Sequence, residues 1–161
     1  LLREDSNDNQ YGICNLDLID FKKYDAIVIS DYNKGFLSKD SIREICDRSS
    51  LVFLDTKKEI GKWCECVSFI KINNYELSKA KHVSKSLRDR LVVTLGSKGA
   101  SFRDKIYPVS SVDIKDLSGA GDTFMSALAF EYTETKDIEQ AIIFANKCAT
   151  IVVQKAGVST I

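Results

Sequence analysis

Short apolar runs that end in polar loops recur through the first two thirds of the chain. The four runs lie at 25–30, 51–54, 67–72 and 91–95. A short, continuous apolar run bounded by turn residues is typical of a strand that is buried on both faces of a parallel sheet. Alternation of apolar and polar positions predicts two further, antiparallel strands at about 100–103 and 106–113.

Helical spacing of apolar residues follows two of these runs. The pattern predicts a helix from near Ser38 to about Ser49, with Ile42 and Ile45 on one face. A shorter helix is expected directly after residues 73–76. Each helix would lie between two predicted strands, so the chain alternates strand, loop and helix.

The last third of the chain is predicted to hold two longer helices. The first opens at Ser118–Asp122 and continues through the apolar segment 123–132. The second begins at Asp137, which resembles a capping box with Gln140 and is followed by apolar residues spaced by three and four. Gly157 is a suitable stop for this second helix.

Repetition of strand, loop and helix predicts βαβ units, which build a largely parallel sheet with helices on both faces. The fold class is therefore α/β, and residues 1–161 are interpreted as one compact unit. Ligands of such sheets bind beyond the carboxyl ends of the strands. The loops expected on that rim are 31–35, 55–58, 73–76 and 96–99.

Composition narrows the classes of partner. Hydrophobic residues make up 44% and charged residues 29% of 161, and 23 basic residues balance 23 acidic ones. A chain without net charge gives no electrostatic reason to expect nucleic acid or a membrane surface as partner. No apolar run approaches the ~20 residues of a membrane helix. Five cysteines, an odd count without a secretion signal at the first residues, favour reduced thiols and a cytoplasmic location.

The segment with the sharpest chemical signal is Asp116–Asp122, with the sequence DLSGAGD. Gly119, Ala120 and Gly121 leave backbone N–H groups accessible, and they open a helix whose N-terminus carries partial positive charge. Such a turn suits a phosphoryl group during transfer, whereas Asp122 suits proton removal from an attacking alcohol. The alternative is an ordinary helix start in which the aspartate is a cap. No Gly-Lys-Ser/Thr follows, so the segment is not a P-loop.

This segment resembles the Asp-Thr-x-Gly-Ala-Gly-Asp signature of the PfkB family of carbohydrate kinases, and four further motifs follow the family's order. They are Asn73 with Glu76, Thr94 with Gly96 and Gly99, the helix segment around Asn146, and Gly157–Thr160. The resemblance implies a ribokinase-like, three-layer αβα fold. It also implies ATP as phosphoryl donor, Mg²⁺ as cofactor, a monovalent cation such as K⁺, and a sugar substrate.

The resemblance assigns roles to these positions. Nucleotide contacts are expected at Asn73, Thr94, Gly96, Gly99 and Asn146. Glu76 is expected to face Mg²⁺ through water, and Asp116 to lie near the monovalent cation. Asp122 would be the catalytic base, with the amides of residues 119–121 as its anion site.

Within the family, the chain is most similar to kinases that phosphorylate heptose 7-phosphate in lipopolysaccharide biosynthesis. The similar segments are Leu1–Asp5, Ser30–Gly35, Asp55–Lys57 and Val152–Ile161. This likeness implies that Lys57 lies near the nucleotide phosphates, and that Asp31 and Lys34 lie near the transfer cleft on the substrate side. The alternatives are turn residues for Asp31 and Lys34, a helix cap for Asn73 and a solvated loop charge for Lys57.

Two departures from the family pattern qualify this interpretation. Leu117 stands where the signature has threonine. The chain is also about half the family's length, and the absent part is the N-terminal half with the lid that often forms the dimer interface of full-length relatives. The sequence therefore predicts the nucleotide-binding half of a kinase domain. Another sugar or nucleoside kinase, or a non-catalytic nucleotide-binding remnant, remains open as an alternative.

Overall fold

The computed structural model describes residues 12, 14–157 and 161. The segment Leu1–Asp5 and most of Gly157–Thr160, which contributed to the family resemblance, lie outside the described residues. No helix in the described ranges is both long and apolar enough to cross a bilayer.

The described residues form a six-stranded sheet whose spatial order follows the sequence. The strands are β1 (Ile27–Asp31), β2 (Val52–Thr56), β3 (Phe69–Asn73), β4 (Leu91–Thr94), β5 (Ala100–Phe102) and β6 (Lys105–Tyr107). Strands β1 to β4 are parallel, and β4, β5 and β6 pair antiparallel. The predicted mixed sheet is confirmed.

The last strand is shorter than predicted. It ends at Tyr107 rather than near residue 113, and Pro108 follows it directly. Proline has no N–H to donate to a neighbouring strand, which explains why the ladder stops there.

Five α-helices connect and cover the strands in the described chain. They are α1 (Lys39–Arg48), α2 (Asn74–Lys79), α3 (Lys85–Arg88), α4 (Ala120–Thr135) and α5 (Ile138–Val153). Ser38 caps α1 by accepting a hydrogen bond from the Ser41 amide at 2.9 Å, as the sequence predicted. The short helix α3 was not predicted, because four residues are too few to show an apolar periodicity.

Two apolar clusters lie on opposite faces of the sheet. Because β1 to β4 are added in one direction, right-handed crossovers place all their connections on the same face. Residues of α1, α3 and the turn Lys62–Cys64 accordingly share one cluster with β1–β4. Helices α4 and α5 pack over the second cluster on the other face. This gives the three-layer αβα arrangement that was expected.

The strand predicted at 51–54 continues through two buried polar residues, Asp55 and Thr56. Alternation along β2 places Asp55 on the α4 face, with Phe53, and Thr56 on the α1 face, with Leu54. Polar side chains are tolerated there because each finds a charged or hydroxyl partner on a neighbouring strand or the adjoining loop.

Candidate active site

A cavity of about 120 Å³ opens at the carboxyl ends of β1, β2 and β3, next to the start of α4. Its lining residues are Ser30, Asp31, Tyr32, Asp55, Lys57, Lys71, Gly121 and Asp122. Four residues that the sequence singled out, at positions 31, 57, 121 and 122, meet in this one cavity. They come from segments that are far apart in the chain, so the parallel sheet is what assembles them.

The first turn of α4 includes two cavity-lining residues, Gly121 and Asp122. Gly119 adopts a left-handed φ of 78°, and its carbonyl accepts the Thr123 amide at 2.8 Å. The amides of Gly121 and Asp122 donate no hydrogen bond to any of the described residues. First-turn amides of a helix have no partner inside it, so these two can bind an anion.

Asp122 lies in the first turn of α4, with its side chain exposed at the edge of the cavity. An exposed carboxylate can reach a ligand there without reorganisation of the core. The geometry is compatible with the sequence prediction of a proton acceptor beside an anion site.

Asp55 and Lys71 form a buried ion pair on the α4 face of the sheet. They are direct register partners on β2 and β3, and the Lys71 ammonium donates to Asp55 Oδ2. Asp55 Oδ1 is buried and has no hydrogen-bond partner among the described residues, and Lys57 Nζ lies 3.9 Å from it. A Cβ placed on Gly121 would lie 3.1 Å from Lys71 Nζ, so the ammonium rests against the α4 turn.

A second polar group lies on the opposite face of the sheet, the one covered by α1. Asp31 Oδ2 accepts hydrogen bonds from Thr56 Oγ1 and from Lys58 Nζ, both at 2.6 Å. Asp31 Oδ1 accepts the Asn33 amide at 3.0 Å, which shapes the loop after β1. Both oxygens of Asp31 are therefore engaged by the protein, and its carboxylate fixes this corner of the cavity.

Lys57 joins the cavity to the start of α2. Its ammonium lies 2.5 Å from Glu76 Oε1, and Glu76 Oε2 accepts the Asn73 amide at 2.9 Å. Asn73 Oδ1 accepts the Glu76 amide at 2.8 Å, which completes a capping box. Burial lowers the pKa of Lys57, but the hydrogen bond to Glu76 and the charges of Asp55 and Glu76 outweigh it and raise the pKa above its ordinary value.

The contact of Glu76 with Mg²⁺ stays a prediction. In the part of the chain that is described, no three acidic, histidine or cysteine side chains converge in a way that could hold a metal ion. Both oxygens of Glu76 are already bonded, to Lys57 and to the Asn73 backbone. Contact through water, as the sequence suggested, is the arrangement that Glu76 could offer to a hydrated cation.

Asp116 ties the α4 turn to the end of α5. Its Oδ1 accepts the Ser118 amide at 2.8 Å, and its Oδ2 accepts the Gly157 amide at 3.1 Å. These hydrogen bonds, that of Ser118 foremost, lower the pKa of Asp116 below its ordinary value. The contact with a monovalent cation stays a prediction, because both carboxylate oxygens serve backbone amides in this structure.

The remaining predicted residues lie outside the cavity. Thr94, Gly96 and Gly99 form the end of β4 and the turn into β5. The Asn146 side chain is buried and donates to the Tyr107 carbonyl at 2.8 Å, which attaches α5 to β6. Lys34 lies exposed in the loop after β1 and does not line the cavity. Their nucleotide or substrate contacts stay predictions.

Sequence reasoning missed Lys71 and gave Asp55 no role of its own. The signal for Lys71 was a lysine in the middle of an otherwise apolar run, Phe69–Ile72. A lysine is almost never fully buried unless it is paired, so its place in a predicted buried strand called for an acidic partner. Register pairing, which the sequence does not display, supplies that partner as Asp55.

Comparison with known proteins identifies the family and the fold of this chain. A family profile described as pfkB family carbohydrate kinase matches residues 39–161. Among curated proteins, the chain is 34% identical over 159 residues to the bifunctional protein HldE of a Nitratiruptor species. That match covers 86% of this chain and 34% of the relative, so the chain spans about a third of the length of the curated relatives it matches.

Solved structures show the same fold at lower sequence identity. Ribokinase from Thermotoga maritima has a TM-score of 0.70 at 23% identity, over 91% of this chain and 58% of that one. Arabidopsis thaliana ribokinase, solved with ribose and ATP, has a TM-score of 0.66 at 20% identity, over 86% and 52% of the two chains. The fold is ribokinase-like, and the family profile covers more than half of the chain. The chain belongs to the pfkB family of carbohydrate kinases.

Proposed function

We propose that this chain forms the nucleotide-binding and catalytic half of a kinase that transfers the γ-phosphoryl group of ATP to a hydroxyl group of heptose 7-phosphate. The observation that carries the proposal is the opening of the α4 turn onto the cavity. Gly121 and Asp122 both line this small space, their backbone amides donate to no described acceptor, and the Asp122 side chain is exposed. An anion site with a neighbouring base is the pairing that phosphoryl transfer to an alcohol requires.

The chemical roles follow from these positions. The oxygen of the acceptor hydroxyl forms a bond to the γ-phosphorus, while the bond between that phosphorus and the leaving oxygen of ADP breaks. Asp122 accepts the proton that the hydroxyl loses. The amides of Gly121 and Asp122 stabilise the negative charge on the transferred oxygens. The contribution of Asp122 depends mainly on its position next to the anion site.

Bound Mg·ATP supplies the phosphoryl group and a cation that neutralises its charge. Lys57 and Glu76 would lie beside the phosphates, because both residues line a neighbouring cavity of about 410 Å³ and Lys57 also lines the first one. Thr94, Gly96, Gly99 and the helix segment around Asn146 would border the nucleoside, as the family resemblance implies. Asp116 would border the monovalent-cation site, because it fixes the backbone at Ser118 and Gly157 by accepting their amide hydrogen bonds.

The choice of heptose 7-phosphate is supported by the segment Ser30–Gly35, which resembles heptose kinases in sequence. Ser30, Asp31 and Tyr32 line the cavity, which supports a contact between this segment and the acceptor. The chain spans only about a third of the length of its curated relatives. This favours one alternative, in which the chain binds nucleotide but does not catalyse phosphoryl transfer by itself.

Two measurements separate these possibilities. Isothermal titration of the chain with Mg·ATP tests nucleotide binding. If no binding of Mg·ATP is measured, the proposal is contradicted. A coupled assay of ADP release with heptose 7-phosphate, fructose 6-phosphate and ribose then tests turnover and substrate choice. Binding without ADP release from any of the three sugars would identify a nucleotide-binding half that needs further sequence for catalysis.

Asp122→Asn is expected to lower kcat by ~100-fold or more and to leave Mg·ATP affinity nearly unchanged, because only the proton acceptor is lost. The check is the ADP-release rate of both proteins in the form that shows turnover, with titration of Mg·ATP alongside. Unchanged turnover in the variant would remove Asp122 from the mechanism.

A further inference from the structure

The Asp55–Lys71 pair lies at the floor of the cavity, where the α4 turn meets the sheet. Asp55 is 7% exposed and Lys71 6% exposed, so both charges are withdrawn from bulk water. Burial of an ion pair brings little net stability, because desolvation offsets the attraction between the charges. A pair of this kind at a cavity wall therefore suggests a role beyond folding.

Lys71 has donor capacity left for a ligand. Its ammonium carries three N–H groups, and Asp55 Oδ2 is the side-chain acceptor found for it among the described residues. Because the ammonium rests against Gly121, it lies on the same side of the cavity as the two amides without acceptors. A phosphoryl oxygen at that point would receive a charged donor from the sheet and neutral donors from the helix.

Asp55 Oδ1 is the complementary observation. It is a buried carboxylate oxygen without a hydrogen-bond partner in the described structure, on a residue that lines the cavity. A buried acceptor without a donor is unfavourable, and a ligand that brings an O–H group to it relieves that cost. The orphan oxygen therefore indicates that the occupant of this cavity carries a hydroxyl next to its anionic oxygens.

We propose that Asp55 and Lys71 act together as a phosphoryl-binding pair. Lys71 contacts an anionic phosphoryl oxygen, and Asp55 Oδ1 accepts a hydrogen bond from an adjacent hydroxyl group while Oδ2 holds the ammonium in place. Such a hydroxyl is present as P–OH in protonated inorganic phosphate and as C–OH in an acceptor alcohol. The proposal rests on the phosphotransfer function given above and adds two residues to its binding site.

Inorganic phosphate and sulfate are the probes, because at mildly acidic pH phosphate carries an O–H group and sulfate carries none. Each anion is titrated into the isotope-labelled chain at matched ionic strength, and the amide signals of Gly121 and Asp122 report occupancy. The wild-type chain is expected to bind phosphate roughly tenfold more tightly than sulfate, as one charge-assisted hydrogen bond would provide.

Variants divide the two roles. Asp55→Asn should remove the preference for phosphate over sulfate, because the negatively charged acceptor is lost. Lys71→Met leaves a buried carboxylate without its cation and destabilises the chain, so the main test is the double variant Asp55→Asn/Lys71→Met, in which both charges are removed. It should fold and bind both anions at least roughly tenfold more weakly than the wild type.

Lys105→Met is the charge control. It also removes one lysine and one ion pair, with Glu139, but it lies on β6 and does not line the cavity. Its phosphate affinity should equal that of the wild type. An equal loss in this control would attribute the effect to net charge and overturn the proposal.

The outcomes separate this inference from the proposed function. A wild-type chain that binds Mg·ATP, together with a folded double variant of unchanged phosphate affinity, overturns the role of the pair and leaves the kinase proposal standing. A wild-type chain that binds neither phosphate nor Mg·ATP contradicts both.

Discussion

Gly99 allows the close approach of the β4–β5 turn to the end of β6. Its backbone has a φ of 89° and a ψ of −130°, a region that side-chain-bearing residues rarely adopt. A Cβ at this position would lie 2.1 Å from the Tyr107 carbonyl oxygen and 3.1 Å from Pro108. Its glycine identity is thus explained by packing alone, whether or not the turn also faces a nucleotide.

Gly99→Ala is expected to lower the free energy of unfolding by about 3 kcal/mol, because backbone strain and a direct clash add together. Gly96→Ala is the matched control in the same turn. Gly96 has a φ of 61° but nothing within 4 Å of an added Cβ, so about 1 kcal/mol of strain is expected. Urea unfolding of both variants checks the difference, and equal losses would contradict the proposed clash.

At the scale of elements, the start of α2 combines a structural task with a predicted ligand contact. Asn73 caps the helix, and Glu76 both returns the cap and pairs with Lys57. The alternatives considered for Asn73, a cap or a nucleotide contact, are therefore compatible in one residue. Variants that keep one task and remove the other can separate them.

Asn73→Ala is expected to cost about 1 kcal/mol of stability through the lost cap, while Asn73→Ser keeps a side-chain acceptor and stays near the wild type. If Asn73 also contacts the nucleotide through its amide, Asn73→Ser should bind Mg·ATP more weakly despite its stability. Chemical denaturation and isothermal titration on the same samples give both answers. Full Mg·ATP affinity in a stable Asn73→Ser chain would reduce the residue to a cap.

The Asp116 carboxylate connects the starting turn of α4 with the end of α5. Because its pKa is lowered in the folded chain, the ionised form is favoured by folding. The stability gained this way is present above the ordinary carboxylate pKa of about 4, and it is lost as the pH falls through the lower, folded value.

Asp116→Asn should therefore differ from the wild type most at neutral pH and least in strong acid. Urea midpoints measured for both proteins from neutral pH to below about pH 4 should converge as the pH falls. A constant gap between the two curves would show that Asp116 stabilises the turn without its charge.

At the scale of the whole molecule, β1 is the outermost of the six described strands on its side of the sheet. Its backbone has no strand partner beyond it among the described residues, and Val28 on it is 44% exposed. An open, apolar edge strand can pair with another chain. Ser30 and Asp31 of this edge strand also line the cavity, so a second chain that paired with β1 would lie next to the proposed site.

We expect the isolated chain to self-associate through this edge at high concentration, and Val28→Lys to weaken that association without loss of stability. Ile151→Lys is a matched control, because Ile151 is 45% exposed on the surface of α5, away from the edge. Sedimentation velocity over a concentration series checks the prediction. A larger effect from Ile151→Lys would place the association on α5 instead.

The sequence alone was sufficient for the order and type of most elements. Buried parallel strands are continuous apolar runs and long helices have a period near 3.6, so both leave local signals. The DLSGAGD segment likewise indicated a backbone turn at a helix start, because glycine and the helix N-terminus act locally. The same locality explains the misses: α3 is too short to be periodic, and the end of β6 depends on where pairing stops.

The site's charge network was decided by tertiary structure. Whether Lys71 is buried, and with which partner, depends on the register of β3 against β2, which places it opposite Asp55 and against Gly121. Likewise, the sequence predicts Asn146 as a helix residue near a nucleotide, but packing directs its amide to the Tyr107 carbonyl. Residue type determines what a side chain can donate, accept or carry as charge, whereas partner and burial arise only when distant segments are brought within a few ångströms.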